Sequence, residues 1–426
     1  MHVPDGYIAP AVSLAAAVVT VPAWALATEK VKKVLNNRTV PLLAIFAALS
    51  FTVMMFNVPV PGGTTAHAVG GTLVAIVLGP WAAVIAVSTA LILQALFFGD
   101  GGILAIFVNC LNMAVILPFA GYWTYRIVAA GSPVLSTRRA VAAGVGAYVG
   151  ITVAALAVGI ELGIEPILFT DNGRALYSPY TLEQAVPAML LSHMFAASIV
   201  EALVTGLGVA YLQRRHPEYL VGLRGIFAPD AYSDGSPARR PLWQLGAAVV
   251  AAAVVVIAAI GLIAGGGNPN HMWNADWSAV DWPSVATMLL VTAIIGAVLV
   301  PLAYFVLPAS VKRVGTLLTL LAVIAPLGLI APGFAYGEGK AGDVKAAFGY
   351  VPRGLSDLSG IFSAPLSAYS IPLPFFSDAN APLWRAAIGY EISGIVGILV
   401  VGAVTFAIAG LIERRRAGTA VPASAG

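Results

Sequence analysis

Residues 246–264, GAAVVAAAVVVIAAIGLIA, and residues 395–408, IVGILVVGAVTFAI, contain no charged side chain and decide the fold class. An apolar stretch of about 18 or more residues is long enough to cross the hydrocarbon core of a bilayer as a helix. A strand that crosses a membrane would alternate apolar and polar side chains, and these runs do not alternate. The sequence therefore predicts membrane-spanning helices.

The composition of the whole chain agrees with this prediction. The 426 residues are 59% hydrophobic and only 10% charged, with a mean hydropathy of +0.91, whereas soluble domains are about 25% charged. A water-soluble fold is excluded. We predict an all-α polytopic membrane protein with about eleven spans, near residues 9–27, 40–57, 66–79, 81–98, 103–125, 140–160, 185–212, 242–264, 284–307, 313–333 and 387–411; the third is short enough to be a half-span.

The charged residues predict the orientation of these spans. With the N-terminus outside, most of the 22 basic residues fall in inside loops, and the outside loops are richer in acids, among them Glu161 and Glu165. The positive-inside rule then places the N-terminus outside and the C-terminus in the cytoplasm.

The loops also divide the chain into modules. Residues 213–240 contain Pro, Gly, Ser and charges of both signs, which is typical of a cytoplasmic linker. We predict a core of about seven helices over 1–212 and a second membrane module of about four helices over 241–426. The outer loop 334–386 of that second module is too long for a simple turn and is predicted to be a lid or a docking element.

Motifs for enzyme chemistry are missing from the sequence. Residues 337–340, GEGK, lack the full glycine spacing and the Ser or Thr of a nucleotide-binding loop, so this chain is not expected to hydrolyse ATP. There is no His-Glu-x-x-His pair and no Gly-x-Ser-x-Gly elbow. The single cysteine, Cys110, excludes a disulfide framework. Transport or binding remains, with no cofactor beyond a transported ion and no nucleic-acid partner.

The N-terminus offers a group of nitrogen ligands. The first residues, MHVPDGYI, lack the basic region of a signal peptide, so we expect the mature chain to begin at or near Met1. The Met1 amine and the backbone nitrogen and imidazole of His2 would join through five- and six-membered chelate rings, a set that suits Ni²⁺ or Cu²⁺. A fourth nitrogen is predicted from His67, which follows a Pro-Gly turn. Thr64 or Thr65 would cap a helix with His67 in its first turn.

Polar residues inside the predicted spans are the remaining candidates, because such residues are costly in a membrane and usually face a cavity or a partner. Asn109 and Asn112 are three residues apart and are predicted to share a helix face. His193 and Glu201 are interpreted as interhelical hydrogen bonders rather than metal ligands. The full supporting set is Gln94, Asp100, Asn109, Asn112, His193 and Glu201.

Five motifs in order over residues 1–212 resemble the CbiM/NikM family of substrate-specific components of cobalt and nickel energy-coupling-factor transporters. The resemblance implies that the ion is held by four nitrogens. These are the Met1 amine, the His2 backbone and imidazole nitrogens, and the His67 imidazole. The motifs are MHVPDGY at 1–7, NVPVPGGT at 57–64 with His67, Gln94 to Gly102, Asn109 with Asn112, and His193 with Glu201.

The resemblance also implies partners and a location. These are a transmembrane coupling subunit and two cytoplasmic ATPase subunits, in the inner membrane of a bacterial cell. Residues 241–426 resemble the small accessory component often fused to such proteins. Its Pro-Asp-Gly-Leu-Glu signature is PRGLS here, with Arg353 and Ser356 in place of the two acids.

Two alternatives stay open at this stage. A stand-alone proton-coupled transporter would need buried acids, and Glu201 and Glu391 are the two that the predicted spans contain. A membrane-bound sensor or scaffold would be expected to carry a soluble signalling domain, and the sequence shows none. The choice between cobalt and nickel is also open, because planar nitrogen ligands favour Ni²⁺ while the family handles both metals.

Overall fold

The structure is a computed structural model that describes residues 1–33, 35–36, 39–59, 65–221, 280–309, 312–330, 336–377 and 382–417. Helices dominate these residues, and two short hairpins interrupt them. The helices are α1 (Pro10–Lys32), α2 (Thr39–Met55), α3 (Gly71–Leu78), α4 (Pro80–Phe98), α5 (Ile106–Ala129), α6 (Thr137–Leu168), α7 (Leu182–Arg215), α8 (Pro217–Val221), α9 (Trp282–Val306), α10 (Lys312–Ile330), α11 (Ala341–Phe348), α12 (Arg353–Leu358), α13 (Pro374–Ser377) and α14 (Leu383–Ala417). The hairpins pair β1 (Asn57–Pro59) with β2 (Thr65–His67) and β3 (Thr170–Asp171) with β4 (Arg174–Ala175).

The helices confirm an all-α polytopic membrane protein. Within the described residues, 8 helices are long and apolar enough to cross a membrane, and α2 is a further apolar helix of 17 residues. The half-span expected at 66–79 is α3, which has 8 residues and is too short to cross. The span expected at 242–264 lies outside the described residues, as does most of the linker 213–240. The count of eleven and the orientation stay predictions.

Small residues let the N-terminal helices pack closely around α6. A Cβ on Gly146 or Gly150 of α6 would come within 2.7 Å of backbone atoms of α5. At the other end of α6, Gly159 and Gly163 lie equally close to the backbone of α7. Close backbone approach of this kind is how helices associate in lipid, where apolar side chains gain little from leaving the bilayer. The sequence thus places α6 between α5 and α7.

The C-terminal helices pack directly on the N-terminal part of the chain. Helix α14 contacts α2, where Gly397 makes room for the ring of Phe51. The hydroxyl of Tyr390 in α14 donates a hydrogen bond to the carbonyl oxygen of Met55 at 2.8 Å. Helices α9 and α10 complete this side of the protein. The predicted division into 1–212 and 241–426 stays a prediction, but the described parts of the two modules share an interface.

Two local expectations were wrong. His67 lies in β2, opposite Asn57 of β1, and not in the first turn of a helix. Helix α3 begins later, after Gly70, whose φ of +74° ends the extended segment. Glu161 and Glu165 lie inside α6 and not in an outer loop, because α6 runs to Leu168. Helix α6 continues past the residues where its apolar pattern weakens, because it packs against α7.

Candidate metal-binding site

Residues 1–9, here called the N-terminal segment, are hydrogen-bonded to the loop and helix that follow α4. Asn109 of α5 pairs with Val3 as a neighbouring strand would: the Val3 N–H donates to Asn109 Oδ1 at 2.8 Å and Asn109 Nδ2 donates to the Val3 carbonyl at 3.1 Å. The Gly102 N–H donates to the same carbonyl at 2.8 Å. Asp5 accepts from the N–H groups of residues 103, 104 and 105 at 2.8 to 3.3 Å. These contacts hold Met1 and His2 inside the protein.

The two histidines predicted as ligands meet at this buried N-terminus. The Met1 amine lies 3.4 Å from His67 Nε2, and the rings of His2 and His67 stack with their centroids 4.7 Å apart. Met1, His2 and His67 are 3 to 4% exposed. Two nitrogens that each bind one ion at about 2.0 Å are at most about 4 Å apart. The spacing of the Met1 amine and His67 Nε2 therefore fits a shared ion.

The surroundings of His67 leave its Nε2 lone pair directed at the amine. Nδ1 of His67 donates to the carbonyl oxygen of Ala68 at 3.0 Å, so the proton is on Nδ1 and the lone pair is on Nε2. The following turn is held by Glu201 of α7, whose Oε2 accepts from the N–H groups of Val69 and Gly70 at 2.7 Å each. Glu201 thus holds the turn that leads into α3.

His2 is oriented by Asp100, which follows α4. Nδ1 of His2 donates to Asp100 Oδ1 at 3.1 Å. The other oxygen, Oδ2, accepts from the hydroxyl of Tyr369 at 2.6 Å and from Gln94 Nε2 at 3.3 Å. Asp100 thus contacts the same ring nitrogen that would close a six-membered chelate ring with the His2 backbone nitrogen. Coordination through Nδ1 would exchange its hydrogen bond to Asp100 for a metal bond.

Burial dominates the electrostatics of this site. It lowers the pKa of His2 and His67 well below the usual value, and the charge of the N-terminal amine lowers both further. Both imidazoles are therefore neutral near pH 7, as metal ligands must be. Burial also raises the pKa of Asp100, and it raises the pKa of Glu338 to about 7. Oε1 of Glu338 lies 3.7 Å from the Met1 amine and reaches it from the loop 334–386.

Side chains alone do not form a metal site in the described part of the chain. No group of three or more His, Cys, Asp or Glu side chains there is arranged to hold one ion. Any ion held beside His2 and His67 therefore needs further donors, and the Met1 amine, 3.4 Å from His67 Nε2, is close enough to be one of them. Such a set of nitrogens suits Ni²⁺ and Co²⁺ better than Mg²⁺ or Ca²⁺.

The other predicted residues divide into two groups. Asn109 touches the N-terminal segment, but Asn112 does not: its Nδ2 donates to Glu161 of α6 at 2.6 Å. The two asparagines thus bond to different parts of the protein, and a π-helical segment begins at Leu111, between them. The interhelical hydrogen bond expected of His193 was wrong: its Nδ1 donates to the carbonyl of Met189 in its own helix at 2.7 Å, at the start of another π-helical segment.

Four residues near the N-terminus were not singled out from the sequence. Glu165 of α6 accepts from the Ala9 N–H at 3.0 Å, just before α1 begins. Asp5 was visible as part of the first motif, and its acceptor role follows from its place in a turn. Glu338 and Tyr369 belong to the loop 334–386, and no local pattern links them to an N-terminus more than 300 residues away in the chain.

Comparison with known proteins identifies the family of this chain. The family described as cobalt uptake substrate-specific transmembrane region, CbiM, matches residues 2–219. A fused nickel transport protein, NikMN, from Rhodobacter capsulatus is 41% identical over 85% of this chain and 94% of its own length. A probable fused nickel transport protein, LarMN, from Lactiplantibacillus plantarum is 49% identical over 52% of this chain and 66% of its own length.

A crystal structure described as a truncated transition metal transporter is 50% identical and covers 51% of this chain and 100% of its own, with a TM-score of 0.47. The family match begins at His2 and includes every candidate ligand except Met1. The R. capsulatus relative extends the similarity well beyond the matched region. The chain therefore belongs to the CbiM/NikM family and carries a further membrane module fused behind the family region.

Proposed function

We propose that this protein captures a divalent transition metal, cobalt or nickel, as the substrate-binding subunit of an ATP-driven energy-coupling-factor transporter in a bacterial cell membrane. The observation that carries the proposal is the approach of the Met1 amine to His67 Nε2 at 3.4 Å, with the ring of His2 stacked beside them. The ion is the substrate, and its ligands are the Met1 amine, the two nitrogens of His2 and His67 Nε2.

The chain's own residues account for capture at this site. Asn109 and Asp5 hold the N-terminal segment, and Glu201 holds the turn after His67. The donors are thus positioned before the ion arrives, and the ordering cost at binding is small. Coordination requires the nitrogens without protons, so capture releases protons and weakens in acid.

Metal binding by the purified chain tests the site. The protein needs a free amine at Met1. We expect His2→Gln, which removes the imidazole from the chelate, and His67→Ala to weaken Ni²⁺ and Co²⁺ binding by more than about 100-fold, beyond the effect typical of losing an outer hydrogen-bond partner. His216→Ala, at the far end of α7, is the matched control and should bind as wild type. Unchanged binding in both site variants would contradict the proposed ligands.

ATP dependence separates this proposal from a stand-alone proton-coupled transporter. The structure places Glu161 and Glu165 in α6, so the apolar helices offer more acids than Glu201 and Glu391, the two found in the predicted spans. The alternative therefore needs its own experiment. We expect cells that express this chain and the coupling subunit, but no ATPase subunits, to lose metal uptake. Continued accumulation that collapses with the proton gradient would favour the alternative.

A further inference from the structure

Tyr369 of the C-terminal loop is buried in the N-terminal part of the protein. Its ring stacks on Phe98 at the end of α4, with centroids 4.9 Å apart, and lies 5.0 Å from the ring of Tyr390. The side chain is 4% exposed. Both Ala368 and Tyr369 have positive φ, +53° and +57°. Such backbone is costly for residues other than glycine and persists where the surrounding contacts enforce it. The loop is thus held in a fixed place beside Asp100.

The hydroxyl of Tyr369 joins the hydrogen bonds that orient His2. It donates to Asp100 Oδ2 at 2.6 Å and accepts from Gln94 Nε2 at 2.9 Å. Asp100 Oδ1 accepts from His2 Nδ1 at 3.1 Å. A continuous chain therefore runs from the fused module through one carboxylate to a proposed metal ligand.

This chain matters at the moment of coordination. When His2 Nδ1 binds an ion, Asp100 loses the donor on Oδ1. A buried carboxylate without hydrogen-bond donors is unfavourable, because it has lost its hydration and no protein group replaces the water. Tyr369 and Gln94 keep Oδ2 hydrogen-bonded throughout. The Tyr369 hydroxyl thereby lowers the cost of releasing His2 to the ion.

We propose that Tyr369 is a positioning residue for metal capture, which acts through Asp100 on His2 and makes the fused C-terminal module part of the metal site. The inference rests on the proposed function of the Met1, His2 and His67 site. A second contact from the same loop supports it, because Glu338 Oε1 lies 3.7 Å from the Met1 amine. The loop thus reaches Met1 directly and His2 through Asp100.

Removal of one hydroxyl tests the proposal. Competitive Ni²⁺ binding is measured on the full-length chain with a free Met1 amine, as wild type and as Tyr369→Phe. The matched control is Tyr336→Phe in the same loop, whose hydroxyl has no hydrogen-bond partner among the described residues. We expect Tyr369→Phe to weaken binding by about 10-fold or more, as is typical when a partner of a metal ligand is lost. The control should stay within about twofold of wild type.

Two further readouts distinguish positioning from simple folding. The visible absorption band of bound Ni²⁺ should shift in Tyr369→Phe and not in Tyr336→Phe, because Asp100 without the Tyr369 hydroxyl competes with the ion for His2 Nδ1 and so changes the ligand field. The unfolding temperature of the metal-free variants separates loss of stability from loss of affinity. If Tyr369→Phe lowers that temperature but binds Ni²⁺ with wild-type affinity and spectrum, the inference is overturned.

The outcomes also separate this inference from the proposed function. If His67→Ala abolishes binding while Tyr369→Phe and Tyr336→Phe behave alike, the positioning role is refuted and the metal site stands. If wild type does not bind Ni²⁺, or if His67→Ala binds as wild type does, both fail. Weak binding and a shifted band in Tyr369→Phe alone would support both.

Discussion

In the structure the N-terminal segment is hydrogen-bonded to Asn109, an arrangement here called the seated position. Replacement of Asn109 by alanine should destabilise the seated position and weaken metal binding. In the wild type the Asn109 side chain accepts from the Val3 N–H at 2.8 Å and donates to the Val3 carbonyl at 3.1 Å. In Asn109→Ala the carbonyl keeps the Gly102 N–H at 2.8 Å. The Val3 N–H, by contrast, loses its acceptor in a place where Val3 is 2% exposed.

The magnitude follows from that one unpaired group. A buried donor without a partner costs about 1–3 kcal/mol. If the whole cost, about 2 kcal/mol, destabilises the seated position of the N-terminal segment, the population of that position falls by up to about 30-fold, since each 1.4 kcal/mol is a factor of ten. The apparent affinity falls by the same factor, because only the seated segment brings Met1 and His2 to His67.

Competitive Ni²⁺ binding by purified Asn109→Ala is the assay, and Asn112→Ala is its matched control. Asn112 lies on the same helix but donates to Glu161, so it does not touch the N-terminal segment. We expect weaker binding in the first variant and wild-type affinity in the second, even if both unfold at a lower temperature. Equal affinities in the two variants would refute the seating argument.

Three further outcomes are expected. Gly102→Ala should abolish metal binding, because its Cβ would overlap Asp5, whereas Gly342→Ala meets nothing within 4 Å and should bind normally in the same titration. Glu201→Ala leaves two buried N–H groups unpaired and should lower the unfolding free energy by about 2 kcal/mol or more in denaturant titrations. Burial lowers the pKa of His67 in the folded protein. Below about pH 6.5 this histidine is therefore protonated in the unfolded chain and neutral in the folded one, which lowers the free energy of unfolding. Metal-free wild type should therefore lose more thermal stability than His67→Gln between pH 7.5 and 5.5, and an equal loss would contradict this.

Features that depend on neighbouring residues were accessible from the sequence. Apolar runs such as 395–408 predict membrane helices because the bilayer requires every backbone polar group to be paired within the segment. Met1 and His2 predict a chelate because they are adjacent in the chain. Their covalent geometry alone places the three nitrogens where one ion can close a five- and a six-membered ring. The half-span after His67 was also visible as a short apolar run, and it is the eight-residue helix α3.

Features that depend on distant residues were not accessible. The helical turn predicted for His67 was wrong because Glu201, 131 residues or more along the chain, supplies the acceptor that ends the extended segment at Gly70. The span containing Glu161 was predicted too short, since packing on α7 and not hydropathy decides where α6 ends.

The sequence by itself determined the class of the protein and the presence of nitrogen ligands at the N-terminus, because both follow from local chemistry. Only the tertiary structure decided that the Met1 amine and His67, 66 residues apart, come to 3.4 Å. It alone placed Tyr369 against Asp100, 269 residues away. The physical reason is that long-range contacts arise from burial shared among many side chains, and no single stretch of the chain records which partners will be buried together.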